Sequence, residues 1–189
     1  MDRVVRRAQL PVLYTEGYHP HAKISFALPL PVGLEGRREP CLIELARLAP
    51  LPEMARALSR SLPTGMELVS LELTSRGRRS PLADLQVAGY EIELLDGEQL
   101  PALGSAIASL LAAETWRISR PTKSQVAEVD LRPGLLSLVL CPEPRPRLEL
   151  ELSLAPDSLV KPEEIVRALA ELAGLPAVAL GRTARTFLR

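Results

Sequence analysis

Both histidines of the chain lie in one tripeptide, His19-Pro20-His21, within a loop-like run from Leu13 to Leu34. Residues two apart in an extended backbone project to the same side, so the two imidazoles can converge on one ligand. A metal is one such ligand, but His-x-His alone falls short of the donor count that a metal site needs. Glu16 and Cys41 would have to complete it, and nothing in the spacing brings them near. Two other readings stand beside the metal. One is a rigid, proline-containing loop whose histidines hydrogen-bond to backbone, which the short donor count favours. The other is contact with phosphate or an RNA backbone through His21, Lys23 and neighbouring arginines. Tyr14, Tyr18 and Phe26 could stack on bases, as rings do on single-stranded RNA platforms. Tyr18, beside Gly17, is the ring expected to be most exposed, whereas Phe26 on a strand reads first as packing.

A second group of charges is expected on a hairpin. Arg117, Arg120, Lys123, Asp130 and Arg132 fall on two strand-like segments joined by Pro121-Thr122-Lys123-Ser124-Gln125. Gathered cations of this kind make an anion-binding surface. The alternative is a solvated hairpin on which Asp130 and Arg132 form a surface pair worth little. Elsewhere no nucleophile with a base, paired carboxylates, phosphate loop or full metal set is evident, so the chain alone carries no sign of an enzyme. Gly33-x-x-Gly36 is too short for a nucleotide loop and lacks the following Lys.

Composition narrows the classes. The 189 residues are 47% hydrophobic but only 3% aromatic, so the core must be aliphatic. Twenty-three Lys and Arg balance 23 Asp and Glu, which removes any global nucleic-acid signal. Two cysteines, Cys41 and Cys141, lie far apart and read as reduced thiols of the core, with a disulfide the weaker alternative. With no leader-like segment and no long apolar run, a soluble cytoplasmic protein without membrane association is expected.

The elements that must position these residues follow from periodicity. Asp2–Ala8 reads as the last turns of a helix with no clear start signal, which Asp2 could cap. Lys23–Leu28 and Leu42–Leu45 read as strands, and Leu51, Met54, Leu58 and Leu62 repeat at helical spacing. Val69, Leu71 and Leu73 alternate as a half-buried strand over Glu67–Leu73. In the second half, Tyr90–Leu94 is a strand and Gln99–Ala113 a helix. Strands at Trp116–Ser119, Val126–Leu131, Leu135–Leu140 and Leu148–Leu154 follow, then a helix from Pro162 to Gly174 and a strand at Ala177–Leu180. The second half gives β-α-β-β-α-β with an added hairpin, and the first gives the same string without its opening strand. The expected architecture is therefore α+β, two ferredoxin-like units in tandem. The N-terminal unit spans 1–75 and is truncated at its start, 76–86 is a linker, and the C-terminal unit spans 87–189.

The segment from Thr15 to Glu35, Thr-Glu-Gly-Tyr-His-Pro-His-Ala-Lys-Ile-Ser-Phe-Ala-Leu-Pro-Leu-Pro-Val-Gly-Leu-Glu, resembles the radical-SAM-linked protein family of unknown function. That family's pattern reads Ser-x-Gly-Phe-(Asn/His)-Pro-His-Pro-x-Ile-Ser-Phe-Ala-x-Pro-Leu-Pro-x-Gly. Upstream, Arg6-Arg7-Ala8-Gln9-Leu10-Pro11 matches its Arg-Arg-Ala-x-Leu-Pro. Leu62-Pro63-x-Gly65, Val129-Asp130-Leu131-Arg132-Pro133 and Arg182-Thr183 fit further positions. Ala22 departs from the usual Pro and Thr15 from the usual Ser, and members usually begin upstream with a strand and a Ser-His-Leu-Asp segment. The resemblance implies a non-catalytic accessory module working beside a radical-SAM protein that holds an iron–sulfur cluster, S-adenosylmethionine and cobalamin. No cofactor is expected in this chain, which lacks the Cys-x3-Cys-x2-Cys cluster motif. The module would bind substrate, with RNA the class favoured, or partner through Glu16, Tyr18, His19, His21, Lys23, Arg117, Lys123, Asp130 and Arg132. A stand-alone RNA-binding or RNA-modifying protein, and a metal-dependent enzyme at His19 and His21, remain the rivals.

Overall fold

A computed structural model of the chain describes residues 1–75, 80–121 and 126–189. Residues 76–79 of the expected linker 76–86, and Lys123 of the expected hairpin cluster, lie outside the described residues. The elements in chain order are α1 (Asp2–Arg7), β1 (Ile24–Phe26), β2 (Glu35–Gly36), β3 (Cys41–Ile43) and α2 (Leu51–Ser61). They continue with β4 (Val87–Leu94), α3 (Leu100–Ala112), β5 (Arg117–Pro121), β6 (Val126–Asp130) and β7 (Leu135–Cys141). The last are β8 (Arg147–Ser153), α4 (Pro162–Leu172) and β9 (Leu180–Leu188). The fold is mixed α+β. It divides into a unit of residues 1–29 with 39–84 and a unit of 30–38 with 85–189. Residues 30–38, placed in the N-terminal unit by the sequence reading, join the second because β2 runs parallel to β9, with Glu35 opposite Ala184.

The second unit is built on a five-stranded sheet in the order β2-β9-β4-β8-β7, antiparallel apart from the β2 edge. Alternation along β8 explains its two faces: Leu148, Leu150 and Leu152 point into the core, and Arg147, Glu149 and Glu151 point away from it. Leu103, Ile107 and Leu110 of α3 and Ile165 and Leu169 of α4 pack on the inner face. Each such buried aliphatic side chain contributes roughly 1.5–3 kcal/mol, so aliphatic residues carry this core, in which Tyr90 is also buried. Helix α4 ends as its sequence dictates. Gly174 takes φ +65°, and the N–H groups of Leu175 and Gly174 donate to Ala170 (2.9 Å) and Glu171 (3.2 Å), a Schellman closure.

Three expectations change. Strand β9 starts at Leu180, where the expected strand ended, and runs to Leu188. Its sequence hides it, because the ladder slips between Tyr90–Arg185 and Gly89–Phe187, leaving Thr186 as an extra residue that breaks the alternation. Asp2 is not a cap: its Oδ1 accepts the Ala22 N–H (3.3 Å) and its Oδ2 pairs with Arg6 (3.0 Å). Glu67–Leu73 forms no strand, since no neighbour supplies a ladder there.

The first unit pairs β1 with β3 and packs Val4 and Val5 of α1, Val12, and Leu58 of α2 into one small core. Arg7 of α1 donates to the Ser61 carbonyl at the end of α2 (3.3 Å), so its charge serves the neighbouring helix terminus.

In the turn entering β7, a Cβ at Gly134 would run into the Ser158 carbonyl and Val160, and backbone there cannot step aside. Gly134→Ala is expected to destabilise the protein by about 1–3 kcal/mol through overpacking. Urea denaturation measures this, and an unchanged midpoint would contradict the packing described.

Candidate binding loop

The His19-Pro20-His21 loop rises from a ring of three main-chain hydrogen bonds. Leu13 N–H donates to Glu44 C=O (2.8 Å), Glu44 N–H to Lys23 C=O (3.0 Å), and Lys23 N–H to Leu13 C=O (2.8 Å). Above it, Thr15 N–H donates to His21 C=O (2.8 Å) and His21 N–H to Thr15 Oγ1 (3.0 Å). The hydroxyl at position 15 thus clamps the loop, a role that Ser would fill equally well. Gly17 reverses the chain at φ +124°, a conformation that favours glycine.

What this base presents is the tip Glu16–Pro20, all exposed. Tyr18 is 97% exposed, with the His19 ring edge-on at 5.4 Å. On the entering strand, Arg6 lies 5.7 Å over the Tyr14 ring. His21 is exposed and Lys23 half-buried. His21 bonds through its main chain. No hydrogen bond from either imidazole is found among the described residues, so the rings stay available to a ligand.

The metal alternative finds no support in this geometry: no group of three or more His, Cys, Asp or Glu comes together among the described residues. Cys41 sits opposite Phe26 in the β1–β3 pair, where burial pushes its thiol above the ordinary value, away from the thiolate that a metal takes.

The hairpin residues do different work from one another. Arg120 makes a two-pronged bond to Glu164, Nε–Oε1 2.6 Å and Nη2–Oε2 2.7 Å, and donates to Leu159 C=O (3.0 Å). Arg132 donates to the Ala113 carbonyl at the end of α3 (3.0 Å). Asp130 Oδ1 accepts the N–H groups of Trp116 (2.8 Å) and Arg132 (3.0 Å), so it shapes the turn and does not pair with the Arg132 side chain. Arg117 alone of the described members projects into water, 3.9 Å from Glu128. The loop and the hairpin belong to different units.

The sequence reading passed over the open face of the second sheet. Arg37 bonds Glu91 (2.5 Å), Arg147 bonds Glu149 (2.9 Å), and Arg189 bonds Glu151 (2.8 Å). Glu35, Glu93, Arg145 and Arg182 border a shallow cleft of about 140 Å³ there. The Arg147-x-Glu149-x-Glu151 alternation gave the signal for this row. Arg37 and Arg182 could not be added without knowing that β2 and β9 flank β4. With acids and bases interleaved and Phe187 covered by Arg189 at 5.2 Å, this face lacks the rings and net positive charge of an RNA platform.

Burial pushes the Glu164 carboxyl up, but hydrogen bonds from Arg120 and the Lys161 N–H, with the charges behind them, hold it below its ordinary value. A depressed carboxyl binds fewer protons folded than unfolded. Its stabilisation is therefore present above the unfolded value, about 4.3, and lost as pH falls through the lower folded value. Glu164→Gln should cost about 1.5–3 kcal/mol at neutral pH and should flatten the acid limb of the stability profile. Urea titrations from neutral to acidic pH check this, and an unchanged acid limb would contradict it.

No curated protein and no solved structure matches the chain. Among the described residues no helix is long and apolar enough to cross a membrane. The model of a bacterial family, described as an uncharacterized protein conserved in bacteria (DUF2344), matches residues 1–167, and the chain belongs to that family.

Proposed function

We propose that this chain is a non-catalytic accessory module that binds or presents substrate to a cobalamin-type radical-SAM partner through the Thr15–Lys23 loop. One observation carries the proposal: Tyr18, 97% exposed, stands at the tip of a loop whose base is fixed by main-chain hydrogen bonds. A rigid aromatic anchor held in advance loses little entropy on binding, and tyrosine is a frequent interface hot spot. The motif on which the family resemblance rests is this same loop. In the proposed division of labour the partner holds the iron–sulfur cluster, S-adenosylmethionine and cobalamin, and this chain supplies recognition only.

We read the second unit as ferredoxin-like. The order β9-β4-β8-β7, all antiparallel, with α3 and α4 on one face and the β5–β6 hairpin inserted after α3, supports that plan. The α-β-β-α string of the first unit fits the same plan in part, which is the basis for a tandem. RNA is the substrate class that Tyr18, His19, His21 and Lys23 suit, through stacking and phosphate contact. The hairpin adds little to an RNA surface, because Arg120 and Arg132 are already engaged.

Co-purification and calorimetry with a cobalamin-type radical-SAM protein, neighbouring or fused as the resemblance implies, test the reading. Tyr18→Ala should weaken the complex about tenfold or more, and His21→Ala should weaken it too, without lowering thermal stability. Affinity unchanged in both variants would remove the loop from the interface. Absence of any complex, together with oligoribonucleotide binding that falls steeply with salt, would put a stand-alone RNA-binding protein in its place.

A further inference from the structure

Four exposed arginines of the first unit, Arg3 and Arg7 on α1 and Arg56 and Arg60 on α2, have no carboxylate partner among the described residues. Those on the open sheet face of the second unit, by contrast, are matched with glutamates. Helices α1 and α2 share the core of Val4, Val5 and Leu58, and their arginines lie on the sides turned away from it. Arg7 uses one N–H on the carbonyl of Ser61 (3.3 Å), the residue next to Arg60, and Arg56 lies one turn back along the same helix. On the other flank of α1, Arg6 reaches over the Tyr14 ring (5.7 Å), at the root of the Tyr18 loop. Against five arginines the two helices carry two acids, Asp2 and Glu53, and Asp2 is already bonded to Ala22 and Arg6.

Stability does not account for these charges. Arg3 lies in the first turn of α1, the helix end where the dipole disfavours a cation. Arg56 and Arg60, four apart on α2, repel each other. Cations held where they oppose the fold, beside exposed rings, suit an anionic ligand. We infer that the outward sides of α1 and α2 carry the phosphate backbone of a single-stranded RNA, with Arg3, Arg7, Arg56 and Arg60 as its phosphate contacts. A single strand is required because Tyr18, 97% exposed, and Tyr14, 40% exposed, can stack only on unpaired bases. The choice of RNA rests on the substrate reading above, and the radical-SAM partner plays no part in it.

Titrating a fluorescein-labelled, single-stranded oligoribonucleotide of mixed sequence with the full chain tests this, with anisotropy followed from low to high salt. Saturable binding is expected, falling with salt at a log–log slope of about −0.7 for each phosphate engaged. Arg56→Gln with Arg60→Gln should weaken binding about tenfold or more at low salt and flatten the slope by about 1.4, without lowering thermal stability. Arg3→Gln should act in the same direction. Arg117→Gln, an equal loss of charge in the second unit, should change neither affinity nor slope. Tyr18→Ala should lower the affinity and leave the slope alone, since tyrosine carries no charge. RNA binding whose slope is indifferent to Arg56 and Arg60 overturns the inference and leaves the Tyr18 loop as the RNA site. It is equally overturned if Arg117→Gln matches the α2 variants, or if a duplex of the same sequence binds as tightly. Arginine variants that weaken a protein complex and not RNA binding would assign the surface to an acidic partner instead. No RNA binding by the intact chain removes the substrate reading and this inference together, whereas an effect of the arginines without one of Tyr18 removes only the loop.

Discussion

The ring of main-chain hydrogen bonds joining Leu13, Lys23 and Glu44 holds the first unit's distinctive loop in place. Three backbone segments meet there, each residue donating to one neighbour and accepting from another. Nothing in that ring depends on side-chain identity, and this leaves the loop above it free to carry unusual ones. Thr15 adds the single side-chain clamp, and Asp2 reaches from α1 to hold the returning strand at Ala22. Tyr18, His19 and His21 are then displayed at small entropic cost, since the backbone beneath them is already fixed.

The same main-chain requirement separates the two units. In the second, every long strand finds a neighbour, most aliphatic residues (Leu136 and Val139 excepted) fall on one face, and the other face carries arginine–glutamate pairs. Those exposed pairs are worth little individually. The Arg120–Glu164 pair differs, because the Glu164 side chain is only 8% exposed and both its oxygens are bonded to one guanidinium. It ties the β5–β6 hairpin to the first turn of α4. A cation that looked available for a ligand is thereby committed to the fold.

Legibility in the sequence tracked how local the determining interaction is. Helices α2, α3 and α4 were readable because each apolar repeat is local, and Pro63 and Gly174 close behind α2 and α4 mark their ends. Strand β8 was readable because Leu and Glu alternate without interruption. Strand β9 was not, because a bulge at Thr186 and an arginine at 185 break its period, and both make sense only beside β4. The loop was legible as a concentration of rare residues. The fate of Arg120, Arg132 and Asp130 was not, since the acceptors Glu164 and Ala113 and the donor Trp116 are set by tertiary structure.

Glu67–Leu73 shows what alternation does and does not establish. Its pattern sets Val69, Leu71 and Leu73 on one inward face, yet Leu68 and Leu71 pack on the core while Val69 and Leu73 are exposed. It cannot specify a ladder, because a ladder belongs to two strands at once. Propensity supplies about 1 kcal/mol across its whole scale, too little to hold an isolated strand in register without a neighbour.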